Sequence, residues 1–394
     1  MSVRPIYHQR FAVEFDYPVI FTRDTFGVTF PLFLEALGSS GGRDRQRALF
    51  FVDRGVDAHH PELTERIRTA FDRHAGRLEL VKPPHVVPGG EAIKNDYRLT
   101  MEIVDTILEY RLCRHSYVVA IGGGAVLDAV GFAVSIVHRG LRLVRMPTTV
   151  LAQNDGGVGV KNGMNLHGGK NTIGTFHPPH AVINDFNFLS TLPLREWIAG
   201  VSEAFKVSLI KDAGFFRYLC AHAADFRRRD QRIMEELIVR CAELHLEHIG
   251  SSGDPFELGH ARPLDFGHWA AHKLESMSGY RVGHGEAVAI GLALDSLYAV
   301  EKGWLEPGDA EALLAGLRET GFLLWHEELD RRLGDDTPEL FGGLDDFQEH
   351  LGGELCVTFP KELGRKHEVH EIDRDVMRKA LVALKKRAEV ATRS

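Results

Sequence analysis

The chain has 394 residues, 44% of them hydrophobic and 26% charged, with a formal net charge of −8 at pH 7. That length accommodates two domains of ordinary size, and the composition excludes a disordered chain. An acidic balance argues against a nucleic-acid partner, because phosphate backbones select basic surfaces, yet it leaves room for local basic pockets.

No run of about 18 consecutive apolar residues occurs, so no membrane-spanning helix is expected. The charged start "MSVRPIYHQRFAVEFDYPVIF" lacks the apolar stretch of a signal peptide. Cys113, Cys220, Cys241 and Cys356 are scattered without CxxC spacing, which reads as the reduced thiols of a cytoplasmic protein.

In chain order, "ALFFVD", "LELVKPP", "SYVVAIGGG", "LRLVRMPTT" and "HAVINDF" read as strands. "PELTERIRTAFDRHA" and "NDYRLTMEIVDTILEYRL", lying between them, carry the apolar spacing of helices. Strand–helix alternation predicts a mostly parallel, Rossmann-like α/β sheet over residues 1–190. From about Leu192 the pattern changes: "REWIAGVSEAFKVSLI", "QRIMEELIVRCAELHLEHI" and "GEAVAIGLALDSLYAVEKG" are long helical segments. A mainly helical second domain is therefore expected over residues 191–394.

Gly122, Gly123 and Gly124 follow a strand and open a helix, where bare backbone N–H groups and the helix dipole favour an anion such as a dinucleotide pyrophosphate. The run is not GxGxxG, and a tight structural turn is the competing reading. Asp128 follows in the first turn or so of that helix. Asp53 ends the first strong strand, a place from which a carboxylate reaches ribose hydroxyls. "PGGEAIKND" places Glu91 and Lys94 in a turn, and "MPTTV" places Thr148 and Thr149 at another strand end, all along one sheet edge. "GGKNTIG" sets a cation among glycines, as in a tight loop wrapped about an anion. His268 and His272 are spaced i,i+4 and can face one ligand together.

Reading on from the glycines, the chain resembles the sugar phosphate cyclase superfamily, whose best-known member is 3-dehydroquinate synthase. The resemblance runs from about Ala48 to the C-terminus and rests on "GGGAVLDAVGF", "HRG", "MPTTVLAQNDGGVGVKNGMNLHGGKNTIGTF", "SEAFK" and "LDFGH…GHGEAV". It implies NAD, held by Asp53, Glu91, Lys94, Gly123, Gly124, Ala125, Asp128, Thr148, Thr149, Lys161, Lys170, Thr191, Leu192 and Glu196. It implies one divalent metal ion, zinc or cobalt, on Glu203, His268 and His284, a set that leaves positions open for substrate oxygens. Of the i,i+4 pair it makes His268 the ligand and His272 a substrate-side group. Lys206 projects from the same helical face as Glu203. Asp155, Lys161, Lys206, Asp265 and His272 become the catalytic candidates. Arg139, Asp155, Asn165, Lys170, Asn171, Lys206, Arg262, Asp265 and His272 become the groups that meet a small sugar phosphate, Arg139 offering a planar fork for phosphate. A homodimer is also implied.

The chemistry so implied borrows a hydride from a ring carbinol, loses phosphate by β-elimination, returns the hydride and closes a carbocycle by an internal aldol step. The leaving phosphate can remove the proton itself. Three stretches depart from dehydroquinate synthases. "ARPLDFGH" has Asp265 where they carry asparagine, with Arg262 one residue closer to the histidine than usual. "LDDFQEHLGGELCVTFP", holding Gln348, Glu349 and His350, replaces a lysine-pair segment. His245 stands where a lysine is common. Asp265, Arg262 and the "LDDFQEHLGGELCVTFP" segment, with the following "EVHEID", look like the sedoheptulose 7-phosphate cyclases that make valiolone-type cyclitols. An acidic residue in place of a neutral one disfavours a substrate carboxylate and suits a neutral polyol. His272, by contrast, keeps the histidine typical of dehydroquinate synthase. Dehydroquinate synthase itself, a metal-dependent polyol dehydrogenase and an inactive binding protein are the competing readings.

Overall fold

The computed structural model describes residues 6–38, 45–166, 169–251, 254–256, 263–350 and 353–391. Its first half is built on a seven-stranded sheet in the order β1-β9-β6-β5-β2-β3, with β4 also pairing β2. The strands are β1 (Val19–Thr22), β2 (Gln46–Asp53), β3 (Leu78–Leu80), β4 (His85–Val87), β5 (Tyr117–Gly122), β6 (Arg142–Pro147) and β9 (Ala181–Asp185). All these pairings are parallel. Helices α1 (Phe30–Leu37), α2 (Arg54–His59), α3 (Leu63–Arg73), α4 (Ala92–Asn95), α5 (Tyr97–Glu109) and α6 (Gly124–Ile136) are interleaved with them. A separate antiparallel hairpin, β7 (Lys161–Leu166) with β8 (Gly169–Phe176), packs on α6.

A parallel sheet covered on both faces needs strands that are apolar throughout, which is why "ALFFVD" does not alternate with polar residues. Successive side chains still point to opposite faces. Leu49 and Phe51 join the core under α5 and α6, whereas Phe50 and Val52 join Phe30, Phe33 and Phe71 from α1 and α3.

The second half is helical: α7 (Leu194–Ala199), α8 (Val201–Lys211), α9 (Ala213–Ala221), α10 (Ala223–Arg227), α11 (Gln231–Ser251), α12 (His268–Met277), α13 (His284–Glu301), α14 (Pro307–Thr320), α15 (Gly342–His350) and α16 (Arg374–Ala391). A short hairpin, β10 (Val357–Pro360) with β11 (Lys366–Val369), adjoins them. The most extensive apolar core gathers α8, α12 and α13, with Phe205, Trp269 and Leu292 among its buried members. Among the described residues no helix is long and apolar enough to cross a membrane.

Two local expectations change. The stretch 195–210, read as one helix, breaks at Gly200, where a Cβ would lie 2.6 Å from the backbone nitrogen of Leu151. "GGKNTIGTF", read as a tight anion loop, instead supplies strand β8 from Gly169 onward. Its side chains are thereby spread along a hairpin instead of gathered about one point.

Candidate active site

The C-terminal edge of the parallel sheet forms the first wall. β5 runs into α6 at Gly122, and Gly123 caps the helix without any side chain bonding to its first N–H groups. A Cβ on Gly122 would meet Val126 at 2.8 Å and Asp53 at 3.1 Å, so only glycine lets strand and helix close there. At Gly124 nothing lies within 4 Å of a Cβ position, which leaves the helix start open to a ligand. Thr148 N–H donates to the Gly122 carbonyl at 3.0 Å, and Thr149 packs against Gly123. Asp53 caps α2, accepting from Gly55 N–H at 2.6 Å. Burial raises its carboxyl above the usual value against the pull of that bond. An open helix N-terminus beside a strand-end carboxylate fits a dinucleotide.

Lys94 is buried beneath this edge, donating to Asp128 at 2.6 Å and to Asn171 Oδ1 at 2.5 Å. Burial would lower its ammonium, but Asp128 and Glu91 outweigh that and keep it charged. Asn165 donates to Asn95 at 2.8 Å and Glu91 at 3.3 Å, while its own oxygen takes the N–H of Asn171 at 2.9 Å. The hairpin is thus laced to the nucleotide edge, and Lys170 carries it further. Its ammonium lies 2.6 Å from Glu275 on α12 and 4.0 Å from Glu91.

The second wall holds the charge cluster. Glu203 on α8, His268 at the start of α12 and His284 at the start of α13 bring one ligand atom each within 4.8 Å of one another. His268 Nδ1 lies 3.0 Å from the Phe266 carbonyl and must donate to it, which turns Nε2 toward Glu203 at 3.6 Å. His284 Nδ1 lies 3.1 Å from Glu275, and its Nε2 faces Glu203 at 3.4 Å. Glu203 is fully buried, and neither carboxylate oxygen accepts a well-formed hydrogen bond. Two imidazole Nε2 atoms converging on such a carboxylate fit a divalent cation, and the nitrogen–oxygen set suits zinc or cobalt. Glu203, His268 and His284 are the residues that would hold it.

Lys206, one helical turn beyond Glu203, touches that carboxylate and stands 3.7 Å from Asp155. Burial works against its charge, but the two carboxylates outweigh burial and raise its ammonium above the ordinary value. Asp155, in a single π turn over Ala152–Gly156, meets His245 Nδ1 at 2.9 Å. Lys206 and His245 hold its carboxyl below the usual range despite desolvation. Asp265, half-buried in the short turn Pro263–Asp265, precedes His268 by three residues, and its charge favours the protonated forms of both Lys206 and His268. His272 is only partly buried; desolvation, then His268 and His284, hold its imidazole below the ordinary value. Its ring lies 5.3 Å from that of His268 and 5.9 Å from that of His284.

Other candidates stand apart. Arg139 is exposed in the turn after α6, in the left-handed region at φ 66°. Since α6 spans 13 residues, it is roughly 20 Å along the helix from the glycines, and the chain's own fold does not carry it to the cluster. Lys161 opens β7 with an exposed side chain. Thr191 bonds His60, which follows α2, at 3.0 Å; Leu192 is half-buried and gives its carbonyl to Arg229; Glu196 is exposed on α7. Ala125 sits in the first turn of α6. Arg262 and the His350 side chain lie outside the described residues. Gln348 bonds the Gly353 carbonyl at 2.8 Å and Glu349 is exposed.

Sequence reasoning missed three supports. Glu275 backs His284. Arg145, fully buried, donates to the carbonyls of Gly159 and Lys161, each at 2.8 Å, and to Asn162 Oδ1 at 2.7 Å, which pins the segment after Asp155. Asp295 accepts from Trp269 at 3.0 Å and from Gly267 N–H at 3.2 Å, clamping both neighbours of His268. Polar residues inside otherwise apolar runs, such as the arginine of "LRLVRM", were the available signal.

Residues 84–199 match the 3-dehydroquinate synthase N-terminal family and residues 200–335 the 3-dehydroquinate synthase C-terminal family. A 3-dehydroquinate synthase of Nitratiruptor sp. is 40% identical over 286 residues, which is 71% of this chain and 76% of that one. A 2-epi-valiolone synthase of Actinosynnema mirum is 33% identical over 350 residues, covering 85% and 90%. The 2-epi-5-epi-valiolone synthase of Streptomyces hygroscopicus subsp. jinggangensis, solved with NAD+ and Zn2+ bound, superposes with a TM-score of 0.85 at 27% identity, over 97% of this chain and 100% of that one. The motifs, the two-walled site and these matches together show that the chain belongs to the 3-dehydroquinate synthase-like family of sugar phosphate cyclases.

Proposed function

We propose that this enzyme converts sedoheptulose 7-phosphate to a valiolone-type seven-carbon cyclitol, using NAD and one divalent metal ion without net redox change. Bound NAD would supply a transient oxidation at a ring carbinol, and the ion would stabilise negative charge developing on the neighbouring oxygen. The backbone N–H groups at Gly123 and Gly124 hold the pyrophosphate, with Asp53 at the ribose. Lys206, kept cationic, faces developing oxyanion charge. Asp155, kept ionised between Lys206 and His245, accepts a substrate hydroxyl and orients it. His272, kept neutral, exchanges a hydrogen bond without charging. Lys170 and Asn171 present polar groups from the hairpin to the phosphate, and Lys161 stands at the hairpin's start.

The observation that carries the choice of substrate is Asp265, a half-buried carboxylate in the short turn Pro263–Asp265, three residues before His268 at the start of α12. A substrate carboxylate brought to this turn meets a like charge, whereas a neutral polyol meets a hydrogen-bond acceptor. The long coverage by a 2-epi-valiolone synthase supports the same reading. The test is phosphate release from sedoheptulose 7-phosphate and from the seven-carbon acid phosphate of dehydroquinate synthases, compared as kcat/KM. A preference for the neutral sugar is expected; turnover of the acid alone overturns it in favour of dehydroquinate synthase. The reading also includes a domain division near residue 190, a homodimer, and a cytoplasmic setting in keeping with four free thiols.

A further inference from the structure

Beside the three ligands stands a second trio, His272, Glu275 and His284, whose ligand atoms also lie within 4.8 Å of one another. It shares His284, and the shared ring has only two nitrogens. Nε2 faces Glu203 and Nδ1 faces Glu275. Glu275 is 3% exposed, so its carboxylate cannot rely on water; one oxygen meets His284 and the other meets the Lys170 ammonium at 2.6 Å.

We infer that Glu275 is a positioning residue that fixes the tautomer of His284, and that Lys170 tunes it, so that the β7–β8 hairpin and the metal site are energetically linked. This rests on the reading of Glu203, His268 and His284 as metal ligands. A carboxylate accepting the Nδ1–H leaves the Nε2 lone pair free for metal and makes the ring a stronger donor. Lys170 draws charge from the same carboxylate. Removing Lys170 therefore leaves Glu275 a better acceptor and leaves one positive charge fewer near the cation. Both effects tighten metal binding. Removing the Glu275 charge weakens metal binding and takes away the part of the Lys170 effect that runs through the carboxylate, leaving only its direct charge effect. By linkage, whatever ligand engages the Lys170 ammonium changes metal affinity by the same factor as metal changes its own.

The experiment titrates metal-free protein with Zn2+ against a chromophoric chelator and records the visible spectrum of the Co2+ form. Wild type, Glu203→Ala, Glu275→Gln, Lys170→Gln and the Glu275→Gln/Lys170→Gln pair are compared, with circular dichroism confirming the fold. Glu275→Gln is expected to weaken Zn2+ binding about 10- to 100-fold and to alter the Co2+ spectrum. Lys170→Gln is expected to tighten it by roughly 3- to 10-fold, and by a clearly smaller factor in the Glu275→Gln background, as for residues in one network. Glu275→Gln within twofold of wild type, or a Lys170 effect of the same factor with and without the Glu275 carboxylate, overturns the inference. If Glu275→Gln does not fold, Lys170→Gln decides alone: unchanged or weaker binding overturns it. Glu203→Ala binding as tightly as wild type would instead refute the ligand assignment itself.

Discussion

Replacing Gly291 by alanine places a methyl carbon 2.0 Å from the carbonyl oxygen of Gly267 and 3.0 Å from its carbonyl carbon. Both partners are backbone, so no side chain can rotate aside. Gly267 sits at φ 76° and immediately precedes His268, while Gly291 lies two turns into the helix that begins with His284. Contacts of a Cβ below 3.0 Å essentially do not occur, so α12 and α13 must part by about 1 Å, and with them His268 and His284. Metal–ligand distances tolerate only about 0.2 Å, and core overpacking of this kind costs roughly 1–3 kcal/mol. Gly291→Ala is therefore expected to lose at least tenfold in Zn2+ affinity and several degrees in Tm. Chelator competition and thermal unfolding measure the two. A variant with wild-type zinc affinity and a Tm within a degree of wild type would refute the claim that this close approach aligns the two histidines.

Lys94→Met strands the Asp128 carboxylate and frees Asn171, so NAD binding should weaken by about tenfold or more in a calorimetric titration; unchanged affinity would remove NAD from this edge. Asp265→Asn should raise the kcat/KM ratio of the acid phosphate over sedoheptulose 7-phosphate by about 10- to 100-fold, from unit charges roughly 6–12 Å apart at an effective dielectric near 20. No change in that ratio would end the electrostatic argument. Burial lifts the Asp295 carboxyl to about 8 from an ordinary 3.8, against the bonds from Trp269 and Gly267. Between those values the folded chain keeps a proton that the unfolded chain has released, so stability falls as pH rises through that window, by at most about 1.4 kcal/mol per unit. Metal-free Asp295→Asn should show a flatter pH–stability profile than wild type, and parallel denaturation profiles would contradict this.

The sheet was legible because its strands are buried on both faces, which writes "ALFFVD" and "YVVAIG" as unbroken apolar runs. β1 and β4 have four and three residues and leave no such mark, and α7 parts from α8 at Gly200, where a Cβ would meet the backbone of Leu151, a neighbour far away in sequence. Within the site, Gly123, Lys94, Glu203, His268 and His284 were readable from motifs. Glu275, Arg145 and Asp295 were not, because each acts through a neighbour's orientation and only folding brings the partners together. Arg139 is a different case: "HRG" offers a phosphate fork by type, and within one chain α6 stands between it and the glycines.

The most direct measurement follows phosphate and NADH together when purified protein, NAD and Zn2+ meet sedoheptulose 7-phosphate as the sole substrate. A cyclase that returns its hydride releases phosphate in many turnovers with no net NADH. NADH accumulating in step with substrate consumed, or no phosphate released from this neutral sugar, would contradict the account.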